Sequence, residues 1–218
     1  MLTVVADLVS FSTALRERSR TAHSGSEGAG FMSDLMRGKG TRDDYVALVA
    51  QHWFIYEALE AAASTFAADP VAAPFISEKL TRLPALEADL AHLIGDDWRE
   101  RITPVPTTER YVARIREVQD DAWAGGFVAH HYTRYLGDLS GGQIIRTMLQ
   151  RHYRLGDAAV SFYRFEGIEK AKVFKDVYRE RLDAIRFDDE GRAAVVAEAQ
   201  EAFRLNQALF AELGDIHL

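Results

Sequence analysis

The sequence predicts an all-α protein: one domain over residues 1–218 with about seven to nine helices. Three observations carry this. No proline occurs from Thr107 to Leu218, so nothing in the second half forbids helix. Apolar residues recur at spacings of three and four, as in Leu80, Leu83, Leu86, Leu90 and Leu93. No segment shows the strict apolar–polar alternation of a half-buried strand.

A first helix is expected from about Thr3 into the low twenties, with Ala6, Leu8, Val9, Phe11 and Leu15 on its apolar side. Arg16, Arg20, His23 and Glu27 fall within a sector of about 60° if the helix continues that far. Gly25, Gly28 and Gly30 weaken it there. The stretch from Phe31 to Gly40 reads as a short turn of helix and a break. Thr41 is a plausible N-cap, with Asp44 three residues on, for a helix to about Ala67. Tyr45, Leu48, Val49, His52, Trp53, Tyr56, Leu59 and Glu60 trace its inner face, with His52 expected as a structural histidine. Pro70 and Pro74 mark a connection, and Ser77 opens a helix that Pro84 kinks or properly starts. Gly95 ends it, and residues 98–106 form a loop or short turn. A helix over 108–123 is broken by Gly125 and Gly126, and the next runs over 127–153. An aromatic connection, residues 161–167, leads to a basic helix over 168–186. Asp188 or Asp189 caps the last helix, which carries Val195, Ala199, Phe203, Asn206, Leu209 and Phe210.

Hydrophobic residues make up 48% and charged residues 27%, an ordinary balance for a globular domain. The net charge of −7 gives no bulk electrostatic support to a nucleic-acid role. The absence of cysteine excludes disulfides, thiolate-ligated zinc or haem, and iron–sulfur clusters. No basic leader segment or long apolar run is present, so a cytoplasmic monomer without a membrane anchor is expected.

Residues 132–143 are the unusual stretch. Three glycines occupy six positions of an otherwise helical region, each costing about 0.5–1 kcal/mol relative to alanine. Gly137 and Gly141 are four apart and bare one helix face, flanked by Arg134 and Asp138. A kink or a close helix crossing would use such a face; so would a large flat ligand. Among metal sites, a carboxylate-bridged di-iron centre needs paired E-x-x-H motifs. No histidine here has Glu three residues before it, and only Asp89-x-x-His92 comes near. H-E-x-x-H, P-loop and G-x-S-x-G motifs are also missing. Haem remains. Its axial ligand could be any of His23, His52, His92, His130, His131, His152 and His217, with spacing favouring His23 only mildly. His130 and His131 point about 100° apart on a helix and cannot share one metal.

The run LGDLSGGQ, preceded by HHYTRY, resembles the distal helix of the haem (heme) oxygenase family, most closely its soluble bacterial α-type members. Thr21-Ala22-His23 followed by Phe31-Met32 is similar to the family's proximal segment. Phe174-Lys175-x-x-Tyr178-Arg179 is similar to its propionate-binding helix, and Glu201-Ala202-Phe203-x-Leu205-Asn206-x-x-Leu209-Phe210 to its C-terminal helix. The resemblance spans Arg16 to Leu213. It implies oxidative opening of haem b, both substrate and cofactor, to biliverdin with release of carbon monoxide and ferrous iron. Dioxygen and electrons from an external donor, a ferredoxin or flavoprotein reductase, are consumed, and attack at the α position is expected. His23 is the implied iron ligand, with Glu27 near it. Arg16, Arg20, Tyr132, Lys175 and Arg179 are implied for the propionates. Met32, Ser140, Gly142, Phe203, Asn206 and Phe210 are further implied haem contacts. Asp138, Gly137, Gly141, Arg134 and Tyr56 are the implied catalytic set, with Asp138 holding a water that delivers a proton. The competing expectation is a haem-binding or storage protein without turnover.

Overall fold

The structure, a computed structural model, describes residues 9–27 and 30–216, and the side chains of these other than residues 20–27. Among the described residues there are ten α-helices and no strand: α1 (Phe11–Glu27), α2 (Gly30–Met36), α3 (Arg42–Thr65), α4 (Leu83–Ile94), α5 (Trp98–Arg101), α6 (Pro106–Asp120), α7 (Ala124–His131), α8 (Gly137–Tyr153), α9 (Ala171–Ala184) and α10 (Asp189–Ile216). None of them is long and apolar enough to cross a membrane.

α1 starts later than its apolar pattern suggests. Residues 9 and 10 are not helical. Ser10 caps the helix: its Oγ accepts from Thr13 N at 3.4 Å and its carbonyl from Ala14 N at 2.9 Å. Ser12 donates from its amide and hydroxyl to the Asp183 carboxylate at 2.7 and 3.0 Å, tying α1 to α9. The helix then runs through Gly25 to Glu27 despite the glycine.

Thr41 caps α3 through a reciprocal capping box with Asp44, at 3.1 Å from Thr41 Oγ1 to Asp44 N and 2.6 Å from Asp44 Oδ2 to Thr41 N. The same helix buries Tyr45, Leu48, Ile55, Tyr56 and Leu59 at the centre of the molecule. α4 and α6 pack on α3, presenting Leu86, Leu90, Tyr111 and Ile115. α10 is the longest helix and runs against α1, α2, α6 and α7. Ser77 opens only a 3-10 turn, Glu78–Leu80, and Pro84 lies in the first turn of α4. The break expected at Gly125-Gly126 falls earlier, at Ala122, whose φ is +49°. The two glycines lie inside α7 because nothing larger fits. A Cβ on Gly126 would approach Trp123 Cε3 to 2.4 Å, and one on Gly125 would approach Val195 Cγ2 to 2.8 Å.

The helix expected over 127–153 is interrupted. Tyr132–Leu136 is a single π-helical turn between α7 and α8. Such a turn inserts an extra residue into the helix and re-aims everything after it. The glycine-bearing start of α8 is thereby set at its own angle to α7.

Candidate functional site

A cavity of about 510 Å³ opens between α8, α2 and α10. Gly137, Asp138 and Gly141 form one wall; Met32, Phe203 and Phe210 form others. A second hollow of about 330 Å³, lined by Arg16, Ser19, Tyr132 and Arg179, adjoins it and shares Gly137, Ser140 and Phe203. Together they have the size and apolar lining of a site for a large ligand.

The glycine wall is open. Among the described residues, a Cβ built on Gly137 or Gly141 would meet no atom within 4 Å beyond its own stretch of helix. These two positions therefore leave room for something other than protein. Gly142 is different: it is buried, and its Cβ would lie 3.0 Å from Tyr163 Cδ1. It lets α8 pack on the aromatic connection and is not among the residues lining the cavity.

Asp138 stands between the two open glycines. Its Oδ2 accepts a hydrogen bond from the Tyr56 hydroxyl. Burial raises its carboxyl pKa, while Arg134 and the Tyr56 hydrogen bond work in the opposite direction. Arg134, in the π turn, is itself buried. It donates Nη1 to Asn206 Oδ1 of α10 at 2.8 Å and lies 5.0 Å from the centre of the Tyr56 ring. Its Nε and Nη2 are buried and make no hydrogen bond of good geometry among the described residues. Buried guanidinium donors are costly to leave unmet, so this side of the site suits ordered water.

The cationic side lies around Tyr132. Burial raises the Tyr132 phenol, and Arg179, Arg16 and a hydrogen bond with Ser19 oppose that shift. Lys175 Nζ donates to Ser140 Oγ at 3.0 Å across the rim between α9 and α8. Burial and the neighbouring Arg179 lower the Lys175 ammonium. Arg179 also pairs with Asp176 at 2.8 Å.

The expected site residues are thus largely brought together. Asp138, Gly137, Gly141, Arg134, Met32, Ser140, Phe203, Asn206 and Phe210 line the cavity. Tyr56 reaches it through Asp138. Arg16, Tyr132 and Arg179 line the adjoining hollow. The side chains of Arg20, His23 and Glu27 lie outside the described residues, although α1 carries their backbone. Met36, Arg37, Ile144 and Ile145 line the cavity without having been singled out from the sequence. Met36 had a legible signal, lying four residues after Met32 on one short helix. The adjacent histidines serve the interior. His130 Nε2 is 2.8 Å from Glu198, which also takes Arg114 from α6, and His131 Nδ1 is 2.9 Å from the Tyr178 hydroxyl.

The family model described as heme oxygenase matches residues 9–212. The chain belongs to the haem oxygenase family. It is 35% identical to heme oxygenase 1 of Synechocystis sp., over 94% of this chain and 85% of that protein. It is 39% identical to human heme oxygenase 1, over 94% of this chain and 72% of the human one. The crystal structure of the Synechocystis sp. PCC 6803 heme oxygenase-1 in complex with heme superposes with a TM-score of 0.91. That match has 35% identity and covers 95% of this chain and 94% of the other. The all-α architecture expected from the sequence is the haem oxygenase fold. The family match takes in all the elements that build the cavity, from α1 to most of α10.

Proposed function

We propose that this chain opens haem oxidatively to biliverdin, with carbon monoxide and ferrous iron released, in the cavity beside α8. The observation that carries the reading is the Gly137–Asp138–Gly141 wall. It pairs a face without side chains with one carboxyl group tied to Tyr56. The residues fit a haem. The two open glycines admit a flat ring against the backbone, Met32, Phe203 and Phe210 cover its apolar surface, and Arg16, Lys175 and Arg179 offer cations to its carboxylates. When bound, haem supplies both the redox iron and the ring that is oxidised, with dioxygen and reducing equivalents coming from outside.

The protein's own part is to orient, to keep the site dry where it must be, and to deliver protons. His23 would hold the iron in this reading, and Arg20 and Glu27 share its stripe of α1 by their spacing in the sequence. Asp138 holds a water through its carboxyl group, whose pKa burial raises above the ordinary carboxylate value. Tyr56 fixes which way that carboxyl faces. Arg134, anchored to Asn206, supplies fixed positive charge and free N–H donors to the water chain. A hydrogen bond to a charged group contributes about 1.5–3 kcal/mol, and about 1.4 kcal/mol is tenfold in rate. Arg16, Arg20, Tyr132, Lys175 and Arg179 set the rotation of the ring and so the carbon attacked, the α position in this reading. Lys172, Lys175, Arg179 and Arg181 make α9 a basic surface suited to an acidic electron donor, a ferredoxin or flavoprotein reductase.

The test is to add one equivalent of haemin to the purified protein, then ascorbate with catalase, and follow the spectrum. Loss of the Soret band with growth of a biliverdin band is expected, with the isomer identified by chromatography. A Soret band that only shifts on reduction would leave a haem-storage protein.

A further inference from the structure

Three buried phenols each face a base, and successive ring contacts connect them through His131. Tyr56 donates to Asp138 Oδ2. Tyr135 donates to Glu60 Oε1 at 3.4 Å. The Tyr178 hydroxyl and His131 Nδ1 are 2.9 Å apart. Ring centroids are separated by 5.4 Å from Tyr56 to Tyr135, 4.3 Å from Tyr135 to His131, and 5.8 Å from His131 to Tyr178. The last two rings are nearly parallel, at 16°. At one end, Asp138 forms the wall of the glycine cavity. At the other, Tyr178 lines an open hollow of about 550 Å³ that also exposes Val173 and Val177 and is edged by three cations, Lys79, Lys170 and Arg181, against one carboxylate, Glu169.

A buried phenol loses an electron easily only if its proton leaves with it, because a charged radical in an apolar interior is costly. A hydrogen-bonded base makes that transfer short. Burial raises the pKa values of Tyr56, Tyr135 and Tyr178, so each begins as a neutral phenol. Burial also lowers that of His131 to about 3, so its ring begins neutral with one nitrogen free to accept. Any buried hydroxyl needs a hydrogen-bond partner; here each partner, Asp138, Glu60 or His131, is a group able to take the proton and not a backbone carbonyl.

We propose that Tyr56, Tyr135, His131 and Tyr178 form an electron-hopping line that drains oxidising equivalents from the cavity to the hollow at α9. The line rests on haem binding in the cavity, and the oxidant is hydrogen peroxide acting on that haem. One electron passes from Tyr178 through Tyr135 and Tyr56 to the oxidant, which is reduced by one electron. The Tyr178 hydroxyl proton passes to His131 Nδ1. This leaves a neutral tyrosyl radical and an imidazolium. An anionic one-electron reductant, drawn to the Lys79, Lys170 and Arg181 edge, returns the electron, and the proton goes back from His131 to Tyr178. Damage is thereby kept away from Asp138 and the haem.

The experiment is rapid freeze-quench electron paramagnetic resonance of the haem-loaded protein after mixing with hydrogen peroxide. Wild type, Tyr178→Phe and His131→Leu are compared, with the Soret band of each measured beforehand. Wild type is expected to give a tyrosyl radical with the hyperfine pattern of one dominant site. Tyr178→Phe is expected to lose that pattern and to bleach its haem several-fold faster, and His131→Leu to lose most of the same signal. An unchanged pattern and yield in Tyr178→Phe would overturn the proposal. A variant with no Soret band bears on haem binding instead. For such a variant and wild type, haem-free protein is oxidised with a ruthenium photo-oxidant and persulfate. The Tyr178 signal is then expected in wild type and absent in Tyr178→Phe, and equal signals would overturn the line.

Discussion

The Tyr56 hydroxyl on α3 donates to Asp138 Oδ2 on α8, joining a central core helix to the open glycine wall of the cavity. Residues 82 apart in sequence meet there, so the bond ties α3 directly to the first turn of α8. It also sets the chemistry of the carboxyl, because the donated hydrogen bond opposes the rise that burial imposes on Asp138.

Asp138→Ala is therefore expected to retain haem binding and to lose biliverdin formation by about 10²- to 10⁴-fold, the range of a positioned proton-transfer group. A haem titration by Soret absorbance and a turnover assay check the two halves separately. Normal turnover by this variant would remove Asp138 from the mechanism.

Tyr56→Phe removes the donor but leaves the ring. The Asp138 pKa, already raised, should rise further. Whichever protonation state is active, the limb of the turnover–pH profile that reports Asp138 moves to higher pH. Turnover–pH profiles of the two proteins, measured side by side, decide it. An unmoved limb would mean that the two groups are not coupled in the working enzyme.

Gly141→Ala separates folding from function. Its Cβ meets none of the described residues outside its own stretch of helix, and a helical Gly→Ala change contributes about 0.5–1 kcal/mol of stability. The variant is expected to melt at a higher temperature and to bind haem more weakly, since the added methyl occupies the cavity. Gly142→Ala should do the reverse, costing stability through its 3.0 Å approach to Tyr163 and leaving haem affinity nearer wild type. Calorimetry and haem titration on the pair test both statements.

Much of this was legible in the sequence, and the exceptions have physical reasons. Thr41 and Asp44 announce the start of α3 because both halves of a capping box lie within four residues. Local signals also placed Pro84 near the start of α4. Ser10 was overlooked because Leu8 and Val9 continue the apolar pattern on the other side of the cap. Gly125 and Gly126 read as a break, but their smallness serves Trp123 and Val195, and Ala122 makes the turn instead. The π turn at Tyr132–Leu136 has no local signature, since each of its residues is an ordinary helix member. Arg134 and Asn206 were each placed in the site, but their 2.8 Å bond joins positions 72 apart and depends on how α10 crosses the π turn.

Acid should unfold this protein through its buried histidines. His131 falls from an ordinary value of about 6.5 to about 3 in the folded state, and burial, aided by Arg134, lowers His52 well below its ordinary value. The folded state thus binds fewer protons than the unfolded one. The stabilising contribution is complete above about pH 6.5 and is lost as pH falls toward the folded values. Glu198 adds to the loss further down: burial pushes its carboxyl up, but hydrogen bonds from His130 and Arg114 dominate and hold it at about 2. Its contribution is present above about pH 4.5 and disappears as pH drops through about 2. His52 isolates the effect. Both its ring nitrogens are buried without a partner among the described residues, and its ring packs against Phe162 at 5.3 Å. His52→Leu is expected to stabilise the protein by about 1 kcal/mol at pH 7, because an unmet polar group is removed. The gain should grow as pH falls from about 6.5 to 5, where wild type alone must keep this histidine neutral. Urea unfolding at pH 7, 6 and 5 measures it, and parallel curves for the two proteins would show that His52 does not titrate on unfolding.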